Sequence, residues 1–461
     1  MSETREEPKI RDDWGILDPE FVARVVAALD SGEAKPVRAL VRDLHAADLA
    51  DLLETLEQED RVRLISALGR TFNVEALAEL EETARDELME ALPNEVIASA
   101  IKKLDTDDAL YLIEDLEDDD QREILSKVPK VDRAALSRAL DYPEDTVGRL
   151  MKTEFVALPT AWTVSQATEH IRTEKGLPDD FIEVYVVDPA FHLVGTVPVA
   201  RLLRSAPEKQ IDAIMDDEQT VFKATDPQDE VAYKFEKYNL VSAAVTDEGG
   251  RLIGALMADE IVEVIHDEAE EAILHLGGVG AEESMSDTVL DITRSRFTWL
   301  FVNLGTAVLA SWVISWFDTT LENMVALAIL MPIVASMGGN AGTQTMTVAV
   351  RALATRNLGP VNALKVTMRE CAVGLINGFV FALIMGLFAW FWFGSDGLGI
   401  VIAVAIVINL LAAALAGVLV PLALDWFDID PAVASGTFVT TVTDVVGFFA
   451  FLGLAALWLA H

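Results

Sequence analysis

The 461-residue sequence holds a single cysteine, Cys371, and six histidines. One thiol excludes a disulfide framework and a thiolate metal site. His45, His170, His192, His266, His275 and His461 recur at no ligand spacing, which argues against zinc chemistry. Basic residues are scarce: 35 Lys and Arg stand against 75 Asp and Glu, a formal net charge of −40. No basic, aromatic-interleaved patch interrupts that field, so nucleic acid is not expected as a partner, whereas multivalent cations are favoured. The absence of a Walker motif disfavours ATP-powered pumping. Isolated Asp, Ser and His residues form no catalytic spacing, so the chain reads as a non-enzyme. Its first residues, MSETREEPKIRDDWG, contain no apolar core of the kind a secretory signal needs. The soluble part is therefore expected to stay in the cytoplasm.

What is present is unevenly spread. Residues 291–461 carry six basic and nine acidic side chains, which leaves 29 and 66 for residues 1–290, a net charge of −37 there. An acidic soluble block is thus joined to a nearly neutral apolar one. The apolar block contains five stretches of membrane-spanning length, near 296–316, 323–348, 364–391, 398–424 and 432–459. Arg294 and Arg296 precede the first, and Arg351, Arg356, Lys365 and Arg369 lie between the second and third. The positive-inside rule places both clusters, with the N-terminus, in the cytoplasm; five spans then put the C-terminus outside.

The second span carries Pro332 and Gly338, Gly339 and Gly342, which permit bends and close helix approach. Ser336, Asn340 and Gln344 are spaced four apart and form one polar stripe. In the fifth span Asp444 lies twelve residues past Ala432, roughly 18 Å along a helix. It is the only acid well inside a span, and no intramembrane lysine or arginine is available to pair with it. Such a carboxylate is a functional-site hypothesis with a permeating cation as its counterion. Gly436, Thr440 and Asp444 share a face. Glu370 sits beside Arg369 and reads at least as well as a local pair. A symmetric pair of chains would present two carboxylates with Asn and Thr oxygens, which suits a largely hydrated Mg²⁺ but also admits Ca²⁺, Mn²⁺ or Co²⁺.

Residues 18–135 read as short amphipathic helices, with Asp48, Ala50 and Leu53 recurring as Asp108, Leu110 and Ile113 at an offset of 60. Their acids include the run Glu117 to Asp120, with Asp119 and Asp120 as candidate metal-sensing groups. Strand-like runs follow at 182–188 and 240–247; Asp188 and Gly195 recur as Asp247 and Gly254 at an offset of 59. These are two copies of one β-α-β-β-α-like module. An acidic helical segment with Glu263, Asp267, Glu268, Glu270 and Glu271 then runs toward the first span. Together with Asp259, these acids define a charge switch: they repel when metal is scarce and are bridged when it is plentiful, closing the path.

Four motifs, YPEDTVGRLM at 142–151, MPIVASMGGNAGTQ at 331–344, RALATRNL at 351–358 and DPAVASGTFVTTVTDVVG at 430–447, resemble those of the MgtE-type magnesium transporter/channel family. The resemblance covers essentially the whole chain. It implies a multidomain fold: an all-α superhelical N-terminal domain (18–135), paired α/β CBS modules (142–206 and 207–266), a connecting helix (267–293) and a five-helix α-helical transmembrane domain (294–461). It further implies a homodimer of the cell inner membrane, needing no other protein partner, whose pore is built by both membrane domains. By that resemblance Asp444 would be the pore acid and Gly338, Gly339 and Asn340 the pore motif; Ser336, Thr440 and Gly436, which share their helix faces by spacing, are added as candidate ion-ligand positions. Mg²⁺ would be both cargo and regulator, its cytosolic binding keeping the channel closed.

CBS modules that hold adenosine nucleotides often end in Gly-x-x-Thr/Ser-x-x-Asp. Here GTVPVAR places Pro198 and Arg201, and GALMADE places Met257 and Glu260, at those positions. ATP binding is therefore doubtful, and the modules read as a dimerisation and magnesium-sensing scaffold. Two other readings stay open: a broader Co²⁺/Mn²⁺ transporter or coupled Mg²⁺ exchanger, and a membrane-tethered magnesium sensor that transports nothing.

Overall fold

The computed structural model of the chain describes residues 10–459 apart from 13, 179, 281–288, 360 and 428. It divides into two compact units, Met1–Asp267 and Glu268–His461.

The first unit opens with nine short α-helices between Pro19 and Leu140. Their limits follow local signals. Asp18 caps Pro19–Asp30 through Oδ1, which accepts from the Glu20 N–H at 2.8 Å, and Pro19 takes the first helical position. Helices Ala46–Thr55 and Thr106–Tyr111 occupy the two halves of the 60-residue repeat. Phe21, Val25, Leu52, Leu53, Leu64, Leu88, Leu110 and Ile113 form one continuous core. The superhelical reading holds because each short amphipathic helix buries its stripe against its neighbours.

Two three-stranded sheets complete this unit. Strands β1 (Ala157–Pro159), β2 (Glu183–Val187) and β3 (Leu193–Pro198) form one; β4 (Val221–Lys223), β5 (Ser242–Thr246) and β6 (Leu252–Met257) form the other. In each, the first pair is parallel and the second antiparallel. Helices Val164–Thr173 and Gln228–Tyr238 provide the parallel crossovers. Thr163 and Gln166 make a capping box on the former, and Asn239 ends the latter in the left-handed region at φ 51°. Tyr185, Val187, Ala244, Leu252 and Ala255 pack the two sheets together.

The modules exchange segments, which the linear division at 206/207 does not capture. Val147 and Met151 belong to the core of the second module, with Phe222, Val231 and Leu256. Ile211 and Ile214 belong to the core of the first, with Val184 and Val197. Met151 and Met215, 64 residues apart, hold equivalent places in this exchange. Gly254 leaves room for Met151 and the Lys152 carbonyl, and Gly195 leaves room for Met215 and the Asp216 carbonyl.

Helix Ala258–Leu276 starts directly after β6, nine residues before the connecting helix expected from sequence, because the last module helix runs on without a break. Residues 281–288 of the expected connector lie outside the described residues.

Among the described residues of the second unit, five helices have membrane-spanning length and composition: Ile292–Ser315, Val325–Ala354, Ala363–Phe393, Asp396–Trp426 and Pro431–Trp458. Most extend a few residues beyond the apolar runs, since flanking turns that carry Thr293, Arg294, Arg351, Asp396 and Asp425 remain helical. The fourth span is the most enclosed. Its Ile402, Ala405, Ile406 and Leu410 meet Leu327, Leu330 and Val334 of the second and Phe451, Leu452 and Ala455 of the fifth. Gly386 and Gly399 bring the backbones of the third and fourth spans together, since a Cβ on either would press on the other's carbonyl.

Candidate ion path and acidic interface

Within the second span one face is closed and the other open. Val334, Gly338 and Gly342 are buried, whereas Ser336, Asn340 and Gln344 are exposed. A Cβ at Gly342 would overlap Val439 and approach Thr443 on the fifth span, so that glycine is where the two helices touch. A Cβ at Gly339 or at Gly436 would meet no atom within 4 Å. Asn340 Nδ2 reaches Ser336 Oγ at 3.4 Å, a long contact that leaves both amide and hydroxyl oxygens available.

On the fifth span Thr440 Oγ1 donates to the carbonyls of Gly436 (2.9 Å) and Thr437 (3.1 Å). Its proton is thereby turned into the helix while its lone pairs remain free to face a cation. Thr437 Oγ1 donates to Asn303 Oδ1 of the first span at 2.9 Å, tying those helices together. Asp444 lies thirteen residues into the helix that begins at Pro431, roughly 20 Å along its axis. It is half-buried, and among the described residues no side chain hydrogen-bonds or ion-pairs with it. Glu370 is engaged locally: Arg369 Nε and Nη2 donate to its Oε1 at 3.1 and 2.9 Å, as the adjacency predicts.

Sequence reading missed Asn409. It is the only polar side chain between Leu398 and Leu424, and that isolation was the available signal. The residue is 1% exposed, and its Nδ2 donates to the Val334 carbonyl of the second span at 2.9 Å.

The first unit contains a second charged centre, built around Lys152. Its Nζ lies 2.7 Å from Glu260 Oε1, 3.7 Å from Asp107 Oδ2, 3.8 Å from Asp259 Oδ2 and 3.9 Å from Asp105 Oδ2. Asp105 and Asp107 come from the helical domain, Asp259 and Glu260 from the helix after β6. Asp107 Oδ1 and Glu260 Oε2 are buried with no hydrogen-bond partner. Beside them Thr106 Oγ1 donates to Glu154 Oε1 at 2.7 Å.

The electrostatics follow from this crowding. Burial raises the Asp107 carboxyl well above its usual range, with Lys152 pulling the other way. Burial also pushes Asp108 up to about 6, opposed by Lys152 and reinforced by Asp105, Glu260 and Glu79. Glu263 reaches solvent with its outer part, yet partial burial and the carboxylates of Glu260, Glu79, Asp108 and Asp267 push it up to about 7. Burial opposes the charge on Lys152, but Asp107, Glu260 and Asp259 overcome it and hold the ammonium above its ordinary range. A cleft of about 410 Å³ adjoins the cluster, lined in part by Lys103, Asp108, Lys152, Tyr185 and Ser242.

Of the other sensing candidates, Asp119 pairs with Arg122 at 2.8 Å and Asp120 accepts from Asn94 Nδ2 at 3.3 Å. Asp267, Glu268 and Glu270 line the exposed side of helix Ala258–Leu276. Glu271 lies 3.7 Å from His275 Nε2, and His275 Nδ1 lies 3.0 Å from Asp430 Oδ2. Asp430 Oδ1 also accepts from the Ala432 N–H at 2.8 Å, capping the fifth span. Leu276 packs on a cluster of Met346, Val350, Ala416, Ala432 and Val439. Among the described residues no three Asp, Glu, His or Cys side chains stand in metal-holding geometry. The sensing candidates are therefore dispersed: only Asp259 joins the Lys152 cluster, whose other acids, Asp105, Asp107 and Glu260, were not among them.

Five helices of membrane-spanning length bearing an acid and an amide stripe, joined to an acidic helical domain and paired α/β modules, define a multi-pass membrane protein of the transporter class. Family models agree. Residues 331–454 match the MgtE divalent cation transporter model, 44–145 the MgtE intracellular N domain and 211–267 the CBS domain. The chain belongs to the MgtE family. It is 31% identical to the magnesium transporter MgtE of Enterococcus faecalis, over 71% of this chain and 72% of that one. It is 26% identical to the magnesium transporter MgtE of Bacillus subtilis, over 95% and 97% of the two chains. A crystal structure of the soluble part of a magnesium transporter covers 54% of this chain and 98% of that one, at 25% identity and a TM-score of 0.49.

Proposed function

We propose that this chain is a magnesium-selective channel that admits Mg²⁺ down its electrochemical gradient and closes when cytosolic Mg²⁺ binds the acidic region. The observation that carries the reading is Asp444, an acid deep in a membrane-length helix with no Lys or Arg paired to it among the described residues. Ser336, Asn340, Thr440 and Gly436 supply oxygens or open space on the same two helices. Two such chains in a homodimer of the cytoplasmic membrane would present paired carboxylates to a hydrated divalent ion. An inside-negative potential favours entry of two charges by about 4.6 kcal/mol per 100 mV. The sensor comprises the helical domain (18–135), the modules (142–206 and 207–266) and the connector (267–293), with the N-terminus cytoplasmic and the C-terminus outside.

Supporting closure by the connector, Leu276 and His275 already engage the membrane unit at Ala432 and Asp430. The CBS modules act in this reading as a scaffold without ATP. Arg201, at the position of the ribose-binding acid, pairs with Asp216 at 2.7 Å, and Glu260 is taken up by Lys152.

Reconstituted protein in liposomes, under an inside-negative potential, tests the reading through Mg²⁺, Co²⁺ and Mn²⁺ influx in wild type and Asp444→Ala. The expected result is rapid Mg²⁺ influx, abolished by Asp444→Ala and suppressed by millimolar Mg²⁺ on the soluble-domain face. Equal Co²⁺ or Mn²⁺ flux would make it a broader divalent transporter. No flux from folded, dimeric wild type would leave a coupled exchanger or a tethered sensor.

A further inference from the structure

Asn409 occupies an unusual position. A Cβ at Gly338 of the second span, or at Gly447 of the fifth, would overlap its amide. The fourth span therefore inserts one polar group into notches on two other helices. Gly338 is two residues before Asn340, and Gly447 three after Asp444. The Nδ2 bond to the Val334 carbonyl fixes the amide one turn before Gly338, on the buried side of the helix that carries Ser336 and Asn340 on its open side. Asn409 Oδ1 is buried without a hydrogen-bond partner. For packing alone, an aliphatic side chain of similar size would avoid stranding that oxygen.

Resting on the ion-path reading above, we propose that Asn409 is a positioning residue for permeation. It braces both ion-facing helices from behind and sets the placement of Asn340 relative to Asp444. The side chain does not touch the ion; its effect is on the spacing of the oxygens that do.

The test is influx by reconstituted, dimeric protein, read as half-saturating Mg²⁺, maximal flux and the Mg²⁺/Co²⁺ ratio. Asn409→Leu keeps the volume and removes the hydrogen bond. It should raise half-saturation by about tenfold, equivalent to ~1.4 kcal/mol, and lower the Mg²⁺/Co²⁺ ratio. Unchanged half-saturation and ratio in the dimer would reduce Asn409 to packing and overturn the proposal. Should Asn409→Leu not assemble, Gly338→Ala and Asn409→Ala are compared singly and together. In the double variant the notch is refilled but the amide is absent: half-saturation that stays about tenfold raised supports the brace, whereas recovery of the wild-type value reduces Asn409 to packing and overturns it. If Asp444→Ala still conducts, the ion-path reading itself has failed.

Lys152 supports a separate inference, which rests on the magnesium-closure reading. We infer that its ammonium acts as a tethered counter-cation between the helical domain and the second module, doing part of what a bridging divalent ion would do. Four carboxylates from both partners lie within 4 Å of one Nζ, and two of them keep buried, unpaired oxygens. The measurement is chymotrypsin sensitivity of the full chain across a Mg²⁺ titration. Wild type and Lys152→Arg should be protected at low Mg²⁺, with Lys152→Gln requiring at least tenfold more. Coincident midpoints in wild type and Lys152→Gln would overturn the inference. A Lys152→Gln chain that stays open at every Mg²⁺ concentration would keep the tethered cation and sink magnesium closure.

Discussion

The two carboxylate centres of this chain are neutralised in opposite ways. Around Lys152, acids from the helical domain and the second module share a cation that is part of the polypeptide. On the fifth span, Asp444 has no such partner among the described residues, although it lies midway along a membrane-length helix where a bare charge is costly. A carboxylate with a tethered ammonium holds two parts of a protein in register. One without an ammonium is open to an ion that can leave again.

Removing the internal cation should produce the largest effect. Lys152→Ala leaves Asp107 and Glu260 buried together without compensation, and the soluble region should lose about 3–5 kcal/mol. Urea unfolding of that region in the detergent-solubilised chain would register the loss. The converse experiment gives Asp444 what Lys152 gives the soluble acids. Thr440→Lys, one turn before Asp444, should lower Mg²⁺ flux on the order of 100-fold, corresponding to ~2.7 kcal/mol, with the acid itself intact. Flux at wild-type level would mean that Asp444 does not need to be unpaired.

A smaller effect is expected from Gly254→Ala. The added Cβ would overlap Met151 and press on the Lys152 carbonyl, and should cost about 1–3 kcal/mol, seen as a lower thermal midpoint. The smallest effect concerns pH. Asp108 rises from 3.8 to about 6 and Glu263 from 4.5 to about 7, so the folded state binds more protons than the unfolded one in that window. Stability should therefore fall as pH rises from about 4 to about 7 and level off above. Thermal midpoints at pH 5 and pH 8 check the sign, and added Mg²⁺ should recover more at pH 8.

Much of this architecture is visible in the primary structure because it rests on patterns along the chain. The five spans, the division of charge, the 60- and 59-residue recurrences and the Ser336–Asn340 stripe all follow from periodicity and spacing. The Arg369–Glu370 pair follows from adjacency. Less visible is what depends on partners distant in sequence. Lys152 meets Asp107 and Glu260 across 45 and 108 residues, and nothing local to it announces either. Asn409 is conspicuous in an apolar run, but only packing reveals Gly338 and Gly447 on either side. Periodicity tells which face of a helix is buried, not which helix covers it. The same limit applies to Val147 and Met151, whose place in the sequence points to the module that follows them and whose side chains belong to the core of the other.

That exchange of segments has a consequence for how the protein is made. A nascent chain that has emerged only to residue 206 lacks Ile211 and Ile214, which complete the first sheet's core. The second sheet must wait for its own strands, although its Val147–Met151 segment emerged long before. The first sheet's own core closes once Ile214 has emerged, but the face it shares with the second, Tyr185 and Val187 against Ala244, Leu252 and Ala255, must wait until both have left the ribosome. The pair is thus synthesised in two halves but matures in one step, when the connecting helix is already being translated.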